Sequence, residues 1–361
     1  MGFICTNMNH LEYKQLTING HRLVDEEIIE FCKKSNIENI NKIGDFMVEW
    51  FSPKTTIEVQ TSGSTSLPKT ITVSKQQMLQ SAKATAHFFN FKENQTALLC
   101  LPMNYIAGKM MLVRALYSQL NLICIEPNSQ PLNHFIANTI IDFVPLTPMQ
   151  LKGTKQTSNI KTILLGGGPV SAELEQACQT LSAEIYHGYG MTETLSHVAL
   201  RKINGSKPSL AYQALPGVLC SIDNRQCLQL EVPFLTEKIY TNDIVDLINE
   251  TTFIWKGRLD NIINSGGIKL FPETIETKLS DYIKTAYFIA GLPDDTLGEK
   301  LCLLIEDEKY TSEKLHHLEQ YLEQYLEKYE RPKTIFFLPK FIRTESEKVQ
   351  RSKTIELLNS I

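Results

Sequence analysis

From about Thr55 to Val198 short apolar runs alternate with segments of helical periodicity, and this alternation narrows the possible folds more than any other feature of the chain. The runs at Thr56 to Val59, Ala97 to Leu101, Asn121 to Ile125, Ile140 to Val144, Lys161 to Leu165 and Glu184 to His187 hold residues suited to buried strands. Strands interleaved with helices predict a parallel sheet flanked by helices. After Val73, Ser74 and Gln77 have the spacing of a helix-starting box, and Met78, Leu79, Ala82 and Ala86 share one helical face. Beyond Ala199 the pattern is shorter, strand-rich and broken by Pro208, Pro216 and Pro233, which predicts a β subdomain ending near Trp255.

The last hundred or so residues predict a separate small α+β unit. Its elements are a helix near Pro272 to Ser280, strands near Thr285 to Gly291 and Lys300 to Glu306, and a helix with Leu315, Leu318, Leu322, Tyr325 and Leu326 inward. A strand at Thr334 to Leu338 and a terminal helix follow. The length of 361 residues fits two or three such units.

A net charge of -4 gives no general electrostatic reason to bind nucleic acid or an anionic membrane, so any phosphate-binding surface must be local. The start, MGFICTNMNHLEYKQL, lacks the pattern of a secretion signal, and no apolar run is long enough to span a bilayer. A soluble cytoplasmic protein without stable membrane insertion is expected. The eight cysteines are scattered without metal-ligand spacing and read as reduced interior residues.

The segment Thr61-Ser62-Gly63-Ser64-Thr65-Ser66-Leu67-Pro68-Lys69 joins two short strands. Its small residues let backbone N–H groups approach phosphate oxygens, its hydroxyls add donors and Lys69 adds a positive charge. It is not the GxxxxGK[ST] loop of P-loop kinases. Taken alone such a run is an ordinary polar turn, but the order TSGSTxxPK resembles the adenylate-forming superfamily of acyl-CoA synthetases, firefly luciferase and peptide-synthetase adenylation domains. Ser66 stands where that family usually has glycine.

Further motifs occur in the family's order. Gly166-Gly167-Gly168-Pro169 resembles its adenine-contacting turn, and His187-Gly188-Tyr189-Gly190-Met191-Thr192-Glu193-Thr194 resembles YGxTE. By that resemblance Tyr189 stacks on adenine, Thr192 contacts the α-phosphate and Glu193 helps to hold Mg²⁺. The residue chemistry suits each role: an aromatic face, a hydroxyl and a carboxylate for a hard cation. Tyr240-Thr241-Asn242-Asp243 resembles YxTGD with asparagine for glycine, so Asp243 is the implied acceptor of the ribose hydroxyls.

Gly257-Arg258-Leu259-Asp260 and the stretch Ile262 to Lys269 resemble the block at the family's domain junction, with Asn264 at a position commonly lysine. This implies a large domain over residues 1–257 and a small mobile α+β lid over 258–361, with a hinge near Asp260. Arg258 would reach the ribose, and Asn264 to Lys269, including Gly267 and Lys269, would form a loop entering the site in the thiolation state. Arg343 to Arg351 resembles PRTxxGKxxR, which puts Lys348 at the catalytic lysine and Glu347 in place of a glycine.

The resemblance implies an ATP-dependent, Mg²⁺-requiring ligase that converts a carboxylic acid to its acyl-AMP and passes the acyl group to coenzyme A. The phosphate loop begins at residue 61, earlier than in most members, and the resemblance therefore implies an abbreviated N-terminal part. The YGMTETxSH and GRxDNxINSGGIKxxPExIE strings are most similar to the 2-succinylbenzoate:CoA ligases of menaquinone synthesis. In that reading Leu101 to Lys109 lines the acyl pocket, with Tyr105, Ser196 and His197 touching substrate and Lys109 neutralising its aromatic carboxylate, although Lys109 also reads as a surface residue at a helix end. Three other readings stand beside it: a ligase for another aryl or medium-chain acid, an adenylation module loading a separate carrier protein, and a non-catalytic nucleotide-binding relative. The oligomeric state has no sequence signal.

Overall fold

Thirteen strands join one twisted sheet, and a second, smaller sheet follows it in the chain. The structure is a computed structural model that describes residues 8–60, 70–134, 139–154, 156–343 and 349–360. Chain order begins β1 (Gln15–Ile18), β2 (His21–Val24), α1 (Glu26–Lys33), α2 (Glu38–Phe51), β3 (Thr56–Gln60), β4 (Thr70–Ser74), α3 (Lys75–Phe88), β5 (Thr96–Leu99) and α4 (Ile106–Ser118). It continues through β6 (Asn121–Cys124), β7 (Ile141–Leu146), α5 (Pro148–Leu151), β8 (Ile160–Leu165), α6 (Ala172–Cys178) and β9 (Glu184–Gly190). Then come β10 (His197–Lys202), β11 (Ala211–Ala214), β12 (Leu219–Ile222), β13 (Cys227–Glu231), β14 (Ile239–Asn249) and β15 (Thr252–Arg258).

The sheet order is β12-β13-β14-β15-β11-β10-β9-β8-β7-β5-β6-β1-β2, with β6, β5, β7, β8 and β9 mutually parallel. Successive side chains of β8 point to opposite faces, as strand geometry requires. Leu164 enters the core shared with α2, α3 and α4, whereas Ile163 and Leu165 enter the one shared with α5 and α6. The expected α/β layering is therefore present.

One expectation needs correction. The Thr56 to Val59 run is a strand, but it pairs only with β4, as an antiparallel hairpin outside the parallel sheet. The connection 61–69 is too short for a parallel crossover, which needs a dozen or more residues. The strands beyond Ala199 form the expected strand-rich part, ending at Arg258: β10 folds back antiparallel on β9 and extends the same sheet through β11 to β15. The N-terminal stretch supplies the β1–β2 edge hairpin and the α1–α2 pair, elements the sequence reading passed over.

The second sheet is built from β16 (Ile263–Ser265), β17 (Ile268–Leu270), β18 (Tyr287–Asp294), β19 (Gly298–Glu306) and β20 (Thr334–Leu338), with α7 (Pro272–Leu279), α8 (Ser312–Tyr325) and α9 (Arg351–Glu356). Leu301, Leu303 and Ile305 of β19 face α7 and α8, and Cys302 and Leu304 face the opposite side with Phe341 and Ile355. Leu318, Leu322 and Leu326 are buried as the helical stripe predicts, and Tyr325 is exposed. The seven cysteines among the described residues are free and buried, and desolvation pushes the thiols of Cys32, Cys100 and Cys178 up to about 12. Among the described residues no helix is long and apolar enough to cross a membrane.

Candidate active site

The polar residues singled out by the motifs gather where the carboxyl ends of the parallel strands meet the antiparallel extension. Ligand sites of α/β sheets form at such strand ends. Tyr189, near the end of β9, donates its hydroxyl to Asp243 Oδ2 at 2.5 Å, and Trp255 Nε1 donates to Asp243 Oδ1 at 3.0 Å. Asp243 is 7% exposed, and its own N–H donates to Thr241 Oγ1 at 3.0 Å. Asp243 and Arg258 are register partners in the β14–β15 pair. Residues 189, 243 and 258, distant in sequence, thus share one locus.

The Tyr189 ring stands edge-on to Phe253, with centroids 5.1 Å apart, and also meets Tyr212. Burial first, then the neighbouring Asp243 charge, raises its hydroxyl well above the usual tyrosine range, so it remains a donor. A carboxylate has about four lone-pair sites. The two protein donors on Asp243 therefore leave capacity for a diol, and the residue fits a ribose.

The Gly166–Gly168 turn after β8 is tied to this locus through His187. Its Nε2 lies 3.0 Å from the Gly168 carbonyl, and its Nδ1 lies 2.8 Å from the Tyr212 hydroxyl. A carbonyl only accepts, so Nε2 carries the proton and Nδ1 accepts from Tyr212. Arg201, ion-paired to Glu175, donates to the Tyr212 oxygen at 3.3 Å.

Between β9 and β10 the chain turns through Met191 to Ser196. Thr194 Oγ1 accepts from Met191 N at 2.9 Å and lies 3.0 and 2.8 Å from the carbonyls of Met191 and Ser196. Leu195 is buried with a φ of 64°, a conformation that disfavours side chains. Gly190 is needed here for packing, because a Cβ would lie 2.3 Å from the Ser196 carbonyl oxygen. Thr192 is half-buried, and Glu193 is exposed with no ion pair to any described residue. A carboxylate is chemically suited to Mg²⁺, which is commonly held by one or two carboxylates together with substrate phosphates and water.

On the other side of that turn lies a cluster the sequence reading located only in part. Arg114 of α4 is 3% exposed; its Nη2 donates to Ser196 Oγ, and its Nε donates to Thr85 Oγ1 at 3.3 Å. His197 bridges the same two hydroxyls, 3.2 Å from Ser196 Oγ and 3.3 Å from Thr85 Oγ1. No carboxylate among the described residues pairs with Arg114. Burial lowers its guanidinium to about 10, so it stays charged near neutrality. Burial, followed by the Arg114 charge, holds His197 well below the usual histidine range, hence neutral.

Other expected site residues lie elsewhere. Lys109 Nζ donates to the Glu58 carbonyl at 3.1 Å, tying α4 to the β3–β4 hairpin rather than joining the Arg114 cluster. Tyr105 is the half-buried residue before α4. The stretch expected as a site-entering loop is the β16–β17 hairpin, and its Gly266 and Gly267, with φ of 58° and 82°, supply the two left-handed residues of its tight turn. Gly267 and Lys269 are exposed there, on the small sheet. Thr61, Ser62, Gly63, Ser64, Thr65 and Lys69 lie outside the described residues, as does Lys348. The described chain closes on the first of these segments through the Gln60–Thr70 pair.

Sequence reasoning missed Arg114, Thr194 and the role of Trp255. The signal for Arg114 was an arginine inside the apolar string Met110 to Tyr117. No comparable signal marked Trp255.

A parallel sheet with a carboxylate, aromatic rings and a glycine turn at its strand ends defines an α/β nucleotide-binding enzyme. The family model for AMP-binding enzymes matches residues 15–226, and the chain belongs to that family. It is an enzyme of the AMP-forming ligase class. It is 26% identical to a 2-succinylbenzoate–CoA ligase of Haemophilus influenzae, over 91% of this chain and 77% of that protein. With the corresponding ligase of Listeria monocytogenes it shares 24% identity over 86% and 72%. An acyl-CoA synthetase (AMP-forming)/AMP-acid ligase II-like protein from Dyadobacter fermentans is 34% identical, with a TM-score of 0.60 and coverage of 91% and 97%. The o-succinylbenzoate CoA synthetase of Bacillus subtilis, solved with its acyl-adenylate intermediate, shares the fold at a TM-score of 0.71 and 22% identity, over 82% of this chain and 68% of that one.

Proposed function

We propose that this chain is a 2-succinylbenzoate:CoA ligase. The observation that carries the substrate is Arg114, a buried guanidinium that donates to the hydroxyls of Thr85 and Ser196 and pairs with no carboxylate among the described residues. A buried charge without a counter-ion is unfavourable by several kcal/mol. An acidic group on the ligand removes that penalty, and a second carboxylate is then needed for the reaction. The acid is therefore a dicarboxylate, as 2-succinylbenzoate is, and the names of the curated relatives agree with this.

In the first half-reaction a carboxylate oxygen attacks the α-phosphorus of ATP, the bond to the bridging oxygen breaks and pyrophosphate leaves. In the second, the coenzyme A sulfur attacks the acyl carbon, AMP leaves and the thiol proton passes to solvent. Catalysis rests on positioning and charge stabilisation. Asp243 and Arg258 hold the ribose, Tyr189 and the Gly167–Gly168 turn hold the base, and Thr192 meets the α-phosphate. Thr61 to Thr65 and Lys69 take the outer phosphates, and Lys348 bridges the acid and the α-phosphate. Glu193 would hold Mg²⁺, which supplies charge neutralisation to the phosphates when bound. The large domain spans 1–257, the lid 258–361, and Asp260 is the hinge. Such an enzyme works in the cytoplasm, with ATP and coenzyme A.

Pyrophosphate release over a panel of acids, with and without coenzyme A, tests the reading. 2-Succinylbenzoate is expected to give the highest kcat/KM. Arg114→Met should lower that value by about 10²-fold, in line with the loss of one partner of a buried charge pair, while leaving unsubstituted monoacids within a fewfold of wild type. Equal losses on monoacids and diacids would remove Arg114 from the substrate.

A further inference from the structure

We propose that Asn242 is a latch on the hinge: it ties β14 of the large sheet to Asp260 and sets the balance between acyl-adenylate formation and thioester formation. The inference rests on the two-step ligase reading above.

Asp260 sits on the short turn Leu259–Asn261 that links the last strand of the large sheet to the first of the small one. Asn242 Nδ2 lies 3.2 Å from both carboxylate oxygens of Asp260. Arg225 fixes which end of that amide faces the carboxylate. Its Nη1 donates to Asn242 Oδ1 at 2.8 Å and its Nη2 to the Thr241 carbonyl at 2.7 Å. Arg225 is itself braced by Asp223, with Nε 2.9 Å from Oδ2. A guanidinium only donates, so it selects the amide oxygen and leaves the NH₂ for Asp260.

The second partner of Asp260 behaves differently. Arg258 Nη2 donates to Oδ2 at 2.9 Å, but it lies two residues away on a long side chain and can follow the carboxylate. Asn242 is anchored in a paired strand and has a short side chain. A large rotation about the N–Cα bond of Asp260 swings the carboxylate away from Asn242 and breaks a charge-assisted contact, whereas rotation about its Cα–C bond alone leaves the contact in place. The latch therefore favours the present orientation and slows departure from it.

The test uses full-length enzyme with ATP, Mg²⁺, 2-succinylbenzoate and coenzyme A. Single-turnover rates are measured for acyl-AMP formation and for thioester formation from preformed acyl-AMP, in wild type, Asn242→Ala, Asn242→Ser, Asp260→Ala and the Asn242→Ala/Asp260→Ala double variant. The expected result is a two- to tenfold change in the ratio of the two rates in Asn242→Ala, with KM for ATP unchanged. Asn242→Ser should lie between, and Asn242→Ala should add nothing in the Asp260→Ala background. Equal losses in both half-reactions, additive effects of the two substitutions, or a raised KM for ATP at a constant ratio would each overturn the latch; the last would mean that Asn242 acts through Asp243. If wild type forms no acyl-AMP from any acid, the ligase reading falls and takes the latch with it.

Discussion

His187 is buried, neutral and bonded through both ring nitrogens, so its protonation is coupled to stability. Desolvation first, then the charge of Arg201, lowers it from 6.5 to about 4, against a smaller raising effect from the Gly168 carbonyl. As pH falls from about 6.5 to 4 the unfolded chain binds this proton and the folded chain does not, so stability falls through that window and levels off below it. The expected contribution is on the order of 3 kcal/mol. His187→Gln retains a donor for Gly168 and removes the titration, so its urea midpoint should vary less than that of wild type between pH 7 and 4.5; parallel profiles would show that other groups control this range. Residues of this kind are hard to read in advance. Lys109 and Arg114 lie five positions apart on one helix, roughly 140° around its axis. Which of them turns inward depends on how α4 packs against α3, and sequence spacing does not contain that.

In the proposed function the turn between β9 and β10 joins the nucleotide and acyl sides. Tyr189 lies at its start, and Ser196 and His197 lie at its end. Its shape depends on Thr194, a fully buried residue whose hydroxyl accepts from the Met191 N–H. Thr194→Val would leave that N–H without a partner, which costs about 1–3 kcal/mol. The urea midpoint should fall accordingly, Thr194→Ser should restore it, and kcat for acyl-AMP formation should follow the loop. An unchanged midpoint in the valine variant would show that the hydroxyl is dispensable. Elements with strong local periodicity were legible: β20 spans Thr334–Leu338 as predicted, and Ser74 caps α3 by accepting from Gln77 N. Pairing was not legible. That β3 leaves the parallel sheet and that β16 and β17 form a hairpin depend on partners, and apolar runs alone do not name their partners.

Across the whole molecule, the order of motifs foretold that residues 189, 243 and 258 would meet, and they do. The phosphate loop and Lys348 remain expectations, because both lie outside the described residues. What the structure does show is how the residues flanking the Lys348 segment are held. Arg343 and Val349 form a β-bridge on either side of it, Arg343 Nη1 donates to Glu306 Oε1 at 2.6 Å and Arg351 Nη2 to Glu276 Oε2 at 2.8 Å. Both acids belong to the small sheet and its helix, so the described residues on either side of Lys348 are tied to that sheet. If the small sheet is the proposed lid, Lys348 acts in the half-reaction for which that lid brings it to the site. Lys348→Ala should therefore abolish acyl-AMP formation, with at least a 10²-fold loss expected for one transition-state donor, and leave thiolysis of supplied acyl-AMP within a fewfold of wild type. The two rates are measured separately, by pyrophosphate release and by thioester formation. Equal losses in both would place the lysine in a site that does not rearrange between steps, and the two-orientation scheme built on Asp260 would fail with it.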